Sequence, residues 1–221
     1  MEITWLGHSC FRLKSTHGVV ITDPYSPDTG YTMGKPTARI VTVSHQHLDH
    51  NFTRGIGGEP RIIDRPGEYE VSDTLIIGIN TFHDNEQGKL RGRNIVYLIE
   101  MDDISVCHLG DLGHTLNSQQ VEQLQHIDVL LLPVGGITTL DGAMAAEVVR
   151  QLSPKVVIPM HYKTPALKSP ELETADRFLR EIGVTTAVPQ PKLAVTKSTI
   201  PETMQVFLLD YPQPAPPTPS V

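Results

Sequence analysis

Apolar and polar residues alternate in short runs through the first half of the chain, and that period predicts strands. Ile3 to Leu6, Cys10 to Leu13 and Val19 to Thr22 read as an antiparallel meander, broken at Gly7-His8 and His17-Gly18 and closed by the turn Asp23-Pro24. A long Gly/Pro-containing loop, Tyr25 to Thr37, leads to a strand over Arg39 to Val43. Further strands are expected at Arg61 to Asp64, Tyr69 to Val71, Thr74 to Thr81, Asn94 to Met101 and Ile104 to His108.

The second half has a different character. Asn117 can cap a helix running to about Gln125, Gly142 to Leu152 has helical apolar spacing, and Ile127 to Leu132 and Val156 to Met160 are wholly apolar strands. A third helix is expected over Pro170 to Ile182, with proline at its start, Glu171 and Glu173 in its first turn and Gly183 in a C-cap position. Lys192 to Val195 and Met204 to Leu209 return as strands, and the tail YPQPAPPTPSV from Tyr211 is too proline-rich to pack, so an extended or disordered end is expected. Meanders interleaved with a few helices suggest two sheets packed face to face with helices outside, a four-layer α/β arrangement formed by residues 1–210 as one domain.

Composition narrows the function. The 221 residues carry a net charge of −7 and no lysine or arginine cluster, so capture of nucleic acid or of an anionic membrane is not indicated. No stretch approaches the roughly 20 apolar residues that span a bilayer, and the N-terminus lacks the pattern of a signal peptide. The only cysteines, Cys10 and Cys107, lie in apolar runs and read as buried thiols rather than a disulfide framework. A cytoplasmic enzyme acting on a small molecule fits these bounds.

The segment SHQHLDH, Ser44 to His50, packs three histidines and an aspartate directly behind the apolar run Ile40 to Val43. Imidazole nitrogen and carboxylate oxygen are ligands for zinc and similar divalent ions. A polar surface turn is the plain rival, and the matching ligand types at later strand ends weigh against it. His45 and His47 are two residues apart, so in an extended segment both side chains point one way and can grip one ion. His50 has the other parity; if the chain turns here, Asp49 and His50 reach a second ion. His83, at the end of the run Leu75 to Phe82, is placed to complete the first site, and His161, at the end of Val156 to Met160, the second. Asp111, which follows Ile104 to His108 through Gly110, has two oxygens with which to bridge both.

These residues resemble the metallo-β-lactamase superfamily of metal-dependent hydrolases, over nearly the whole chain from WLGHS at 5–9 to MHY at 160–162. The HxHxDH pattern matches 45–50, the later histidine His83, the GD element Gly110-Asp111 and the final histidine His161. The WLGHS, DP, HLGD, LLPVGG and PMHY elements are similar to a compact branch that includes the ascorbate-6-phosphate lactonase group. The resemblance implies an αββα sandwich with a dinuclear site at one edge of the sheets. By it, His45, His47 and His83 hold one metal, Asp49, His50 and His161 the other, and Asp111 bridges. With every ligand present, a metal-free member is disfavoured, and so is the diiron oxygen-reducing branch, which calls for an acidic residue where His47 stands.

Two divalent ions bring +4 and Asp49 with Asp111 return −2, leaving about +2, which favours ionisation of a bridging water and an anionic transition state or substrate. Coordination brings the pKa of water from about 15.7 to about 7. Hydrolysis of an ester, lactone, amide or phosphodiester bond in a small anionic substrate is the expected reaction, with Asp49 orienting the nucleophile. The ions are expected to be zinc, with manganese or iron as alternatives. A ligand-sensing or interaction module on the same metal-bound scaffold is the rival from another class. A nuclease resembling the RNA-processing members is disfavoured, because those carry a large inserted domain.

Other residues invite assignment. Asp23 either hydrogen-bonds a ligand histidine or makes its turn. His8 either lines the cleft or is structural, His108 faces the interior, and His17 and His126 belong to the surface. His114, Tyr162 and Lys163 follow ligand positions closely and are expected substrate contacts. Arg91 and Arg93 could bind a substrate anion, with a solvated hairpin as the alternative. Gly135-Gly136 is expected at a tight backbone approach near the cleft.

Overall fold

In a computed structural model, which describes residues 1–168 and 171–212, the alternating runs form strands with one apolar face turned inward. In chain order these are β1 (Glu2–Gly7), β2 (Cys10–Lys14), β3 (Val19–Thr22), β4 (Ile40–Thr42), β5 (Arg61–Ile63), β6 (Gly67–Val71), β7 (Thr74–Phe82), β8 (Arg93–Met101), β9 (Ile104–His108), β10 (Val129–Pro133), β11 (Val156–Met160), β12 (Leu193–Ala194) and β13 (Gln205–Val206). One sheet runs β12-β1-β2-β3-β4-β5 and the other β13-β11-β10-β9-β8-β7-β6. Both are mixed. The β1-β2-β3 meander is antiparallel and β4 and β5 join it in parallel, while β6 to β9 are antiparallel and β10, β11 and β13 parallel.

Side-chain parity sorts the core into layers. Between the sheets, Trp5, Phe11, Leu13, Val20 and Ile40 meet Ile76, Tyr97, Ile99, Val106, Leu131 and Ile158. The opposite faces of β8 to β11 pack through Leu98, Cys107, Leu130 and Val157 on α1 (Ser118–Gln123), α2 (Gly142–Leu152) and α3 (Asp176–Glu181). Outside the first sheet, Leu6, Cys10, Ile21, Val41 and Val43 are covered by Tyr25, Tyr31, Met33, Ala166 and Leu167, so this outer layer is loop rather than α-helix among the described residues. Both cysteines are free and buried, and among the described residues no helix is long and apolar enough to cross a membrane.

The capping signals act as expected at α1, where Asn117 and Gln120 form a reciprocal capping box, and at α2, where Asp141 accepts from Met144 N. The expected helix from Pro170 to Ile182 is instead six residues, Asp176–Glu181. Pro170 lies outside the described residues. Residues 171–175 are drawn off the helix by backbone pairing: Glu173 N donates to Gly135 O at 2.9 Å, and Glu173 O accepts from Lys163 N at 2.9 Å. Of the expected loose tail, residues 213–221 lie outside the described residues, and Tyr211 is packed edge-on against Trp5 and Tyr31.

Candidate metal centre

The histidines and aspartates of interest stand just beyond strand ends at one edge of the sandwich. The first sheet delivers His8 after β1, Asp23 after β3 and the segment 44–50 after β4; the second delivers His83 after β7, Asp111 after β9 and His161 after β11. The edges are stitched together, since Ile95 N of β8 donates to Ser44 O at 2.9 Å and His161 N donates to His8 O at 3.2 Å. His8, Asp23 and His161 all have left-handed backbone, with φ of 54°, 36° and 50°. Such strain at non-glycine residues persists only where the surroundings fix it. Gly110 makes the close approach possible, because a side chain there would strike Asn94 and Ser44, and Asn94 Oδ1 accepts from Asp111 N at 2.9 Å.

The side chains converge on Asp111. Its Oδ2 lies 3.2 Å from His83 Nε2, 3.3 Å from His50 Nε2, 3.3 Å from His161 Nε2 and 4.0 Å from His45 Nε2. His45, His47 and His83 can each offer an atom within 4.8 Å of the others, and so can His8, His50 and His161. Hydrogen bonds on the outer nitrogens fix several tautomers. His50 Nδ1 donates to Asp23 Oδ2 at 2.8 Å, and His83 Nδ1 donates to Thr138 O at 3.1 Å. Ser44 Oγ donates to Asp23 Oδ2 at 2.5 Å and so is left to accept from His45 Nδ1 at 2.9 Å. His50 and His83 therefore turn Nε2 toward one buried carboxylate oxygen, a repulsive arrangement unless a proton or a cation lies between, while His45 Nε2 accepts from His47 Nδ1 at 2.9 Å. Asp111 Oδ1 and His50 Nε2 are buried without a hydrogen-bond partner. The donor set, nitrogen and carboxylate oxygen, suits a divalent ion.

Electrostatics agree. Burial pushes His45 down to about 3 and His8 down to about 4, with neighbouring histidines adding to the shift, so both are neutral and available as donors near neutral pH. Burial opposes ionisation of Asp111, but the fields of His161 and His50 outweigh it and hold its carboxyl well below the usual range. Burial likewise opposes a charged His50, but Asp111 and then Asp23 raise it well above the ordinary value, so a proton occupies that space when no cation does. Asp49 is also lowered: against burial, it accepts from His8 Nε2 at 3.3 Å and feels His50.

His8, His47, Asp49, His83, Asp111 and His161 line a cleft of about 440 Å³, and Arg91 lies at its margin. Arg93 does not reach this cleft and lines a neighbouring one with His45 and His47. Three expected substrate contacts stand elsewhere. His114 is tied back to the chain, with Nε2 accepting from Phe82 N at 3.2 Å and Nδ1 donating to Thr115 O at 2.8 Å. Tyr162 stacks on Trp5 at 5.2 Å in the apolar interior. Lys163 is exposed and does not line the cleft. His108 is interior and donates from Nε2 to Ser9 O at 2.8 Å. Gly135 is a tight approach, since a Cβ would strike the His161 carbonyl.

Sequence reasoning missed Ser44, Asn94 and Asp84 as supports, and Ile137, Thr138, Leu167, Lys168 and Leu172 around the cleft. Ser44 and Asp84 were readable only as neighbours of His45 and His83; the rim residues give no sequence signal. A larger depression, about 730 Å³, lies at the opposite end of the sheets. Its Asp102 is engaged by Thr16 and the N-terminal ammonium.

Comparison with known proteins places this geometry. The Beta-lactamase superfamily domain pattern matches residues 2–161. A UPF0173 metal-dependent hydrolase of Methanoculleus marisnigri is 31% identical over 214 residues, covering 85% of this chain and 91% of that protein. One from Archaeoglobus fulgidus is 31% identical over 209 residues, covering 77% and 88%. A solved Thermotoga maritima structure of the metallo-β-lactamase superfamily is 41% identical, with a TM-score of 0.78 and coverage of 94% of this chain and 97% of that one. The chain therefore belongs to the metal-dependent hydrolases of the metallo-β-lactamase superfamily, and its two mixed sheets are the sandwich of that fold.

Proposed function

We propose that the protein holds two divalent cations and hydrolyses an ester, lactone, amide or phosphodiester bond in a small anionic substrate. The observation that carries this reading is the convergence of His50, His83 and His161 Nε2 on Asp111 Oδ2 within 3.3 Å, beside the cluster of His45, His47 and His83. In this reading His45, His47 and His83 hold one ion, Asp49, His50 and His161 the other, and Asp111 both. Zinc is the first choice, supported by the name of the Thermotoga maritima relative as a candidate Zn-dependent hydrolase; manganese and iron accept the same donors. The likeness of the WLGHS, HLGD, LLPVGG and PMHY elements to the ascorbate-6-phosphate lactonase group is the reason for keeping lactones in the set.

Bound in pairs, such ions supply a water activated near neutral pH and positive charge at the attacking and leaving oxygens. The chain's own residues supply the rest. Asp23 fixes the His50 tautomer, Ser44 that of His45, and the Thr138 carbonyl that of His83. His8 donates to Asp49 Oδ2 and so positions that carboxylate, whose other oxygen is free to orient a nucleophilic water. Three carboxylates, Asp23, Asp49 and Asp111, set against two divalent ions leave about +1 at the site, enough to favour an anionic transition state.

Metal content measured on purified protein, together with turnover of a lactone and a phosphodiester by wild type and His47→Ala, tests the reading. Near two equivalents of metal are expected, with activity lost in a folded His47→Ala protein. Unchanged turnover in the variant, or no metal and no rescue by added Zn or Mn, would sink it. Two equivalents of metal with ligand binding but no turnover across lactones, phosphodiesters and thioesters would favour a sensing module instead.

A further inference from the structure

On the far side of His47 lies a second cleft of about 440 Å³, floored by Ser44, His45 and His47 and walled by Arg91 and Arg93. His47 and Arg91 line both clefts, and the His47 ring is exposed between them. The arginine backbone is anchored to the histidine cluster. Asp84, next to His83, accepts from the amides of Glu86 and Gly88 at 2.8 Å each, Leu90 at 3.0 Å and Arg91 at 2.7 Å. His83 N donates to Gly92 O at 3.1 Å, and Arg93 pairs with Phe82 in the β7-β8 ladder.

Neither guanidinium makes an ion pair among the described residues; Arg39, Arg54, Arg61, Arg65 and Arg180 share that state, and Arg91 and Arg93 differ from them in lining one cleft together. Among the described residues Asp64 is the one acid on the second cleft. The first cleft opposes Arg91 and Lys168 with Asp28, Asp49, Asp111 and Glu171. By the charges of the chain alone, without ions, a free oxyanion is thus drawn to the second cleft, where two planar guanidinium groups can meet it bidentately.

We propose that Arg91 and Arg93 form a subsite for a remote oxyanion of the substrate, phosphoryl or carboxylate. The substrate then lies across His47, with the scissile bond over the histidine cluster and its less polar end toward Ile137, Leu167 and Leu172 in the first cleft. Binding energy from the remote anion fixes the reacting group without touching it. The term substrate rests on the hydrolase reading; the anion site does not.

Inorganic phosphate and, separately, acetate are titrated into the metal-loaded protein while the arginine Nε–H resonances are followed by NMR, assigned with Arg91→Gln and Arg93→Gln. Saturable shifts of both resonances are expected, with Arg12 and Arg177 unmoved, and the stronger of the two anions identifies the group as phosphoryl or carboxylate. The double variant should lose about tenfold or more in affinity for that anion. The shifts should persist after metal removal with EDTA, which separates this site from anion binding at the ions. Resonances of Arg91 and Arg93 that respond to neither anion would overturn the proposal, and so would shifts that vanish with the metal. Protein that takes up no metal but retains the arginine response would remove the hydrolase reading and leave the anion site standing.

Discussion

Replacing Asp23 with asparagine should separate metal affinity from stability. Asp23 is fully buried and accepts from Ser44 N at 2.7 Å, Ser44 Oγ at 2.5 Å and His50 Nδ1 at 2.8 Å. The amide keeps the shape and can still accept from Ser44 N, but it puts a donor where Oδ2 was. The proton pattern then reverses: the amide donates to Ser44 Oγ and His50 Nδ1, Ser44 donates to His45 Nδ1, and both imidazoles carry their proton on Nε2, that of His50 toward Asp111 and that of His45 toward His47 Nδ1. Without metal, that pattern is satisfied. Loading the ions forces both protons back to Nδ1, where donor faces donor. Each opposed contact costs about 1.5–3 kcal/mol, or roughly ten- to hundred-fold in affinity per ion. The metal-free protein should change by no more than about 1 kcal/mol, roughly 2–4 °C in Tm for a chain of this size. Competition against a chromophoric chelator and thermal melts in EDTA read the two quantities. Wild-type metal affinity in Asp23→Asn would refute the tautomer reasoning, and a metal-free Tm lower by more than about 10 °C would show that the carboxylate is needed for folding itself.

Two further outcomes follow from geometry. Gly135→Ala drives a Cβ into the His161 carbonyl and to 3.0 Å from Tyr162 Cα. A loss of about 1–3 kcal/mol is expected, with metal stoichiometry falling as His161 moves, and a variant as stable and as well loaded as wild type would contradict so close a fit. Asp84 is held down to about 2 from 3.8; burial opposes this, and the Arg91, Gly88, Glu86 and Leu90 amides outweigh it. A lowered folded-state value means its contribution is complete above pH 3.8 and lost as pH falls through about 2. Hydrogen exchange at those four amides, corrected for intrinsic rates, should accelerate over that window in wild type, whereas Asp84→Asn should show weak protection already at neutral pH.

Strands were legible because parity is a local property: β1 to β9 fall within a residue or two of the apolar alternation. Parity did not divide the histidines in the same way: His45 and His47, two apart, lie with His83, but His45 also groups with His50 and Asp23, the His45 and His50 rings standing 4.2 Å apart. The misread helix at Pro170 shows the limit. Glu171 to Ala175 carry every local helix signal, but Glu173 is claimed by the backbones of Gly135 and Lys163, which are distant in sequence. Proximity along the chain failed similarly for His114, Tyr162 and Lys163. Tyr162 and Lys163 stand two and three residues past β11 and His114 six past β9, where the direction of a side chain depends on the next turn, and His161 at φ 50° reverses it for the first two. The cleft rim, built from separate loops, leaves no periodic trace.

The division of donors between the sheets has a consequence for assembly. The segment 44–50 comes from one sheet, and His83, Asp111 and His161 from the other. Neither sheet alone offers the constellation around Asp111, so an ion of full affinity can be captured only after the two layers have docked. Ion binding would then act as a latch on a late step of folding, deepening the native basin by RT ln(1 + [ion]/Kd) while leaving earlier, sheet-by-sheet structure untouched. Unfolding that begins by parting the layers would release the bound metal in the same step.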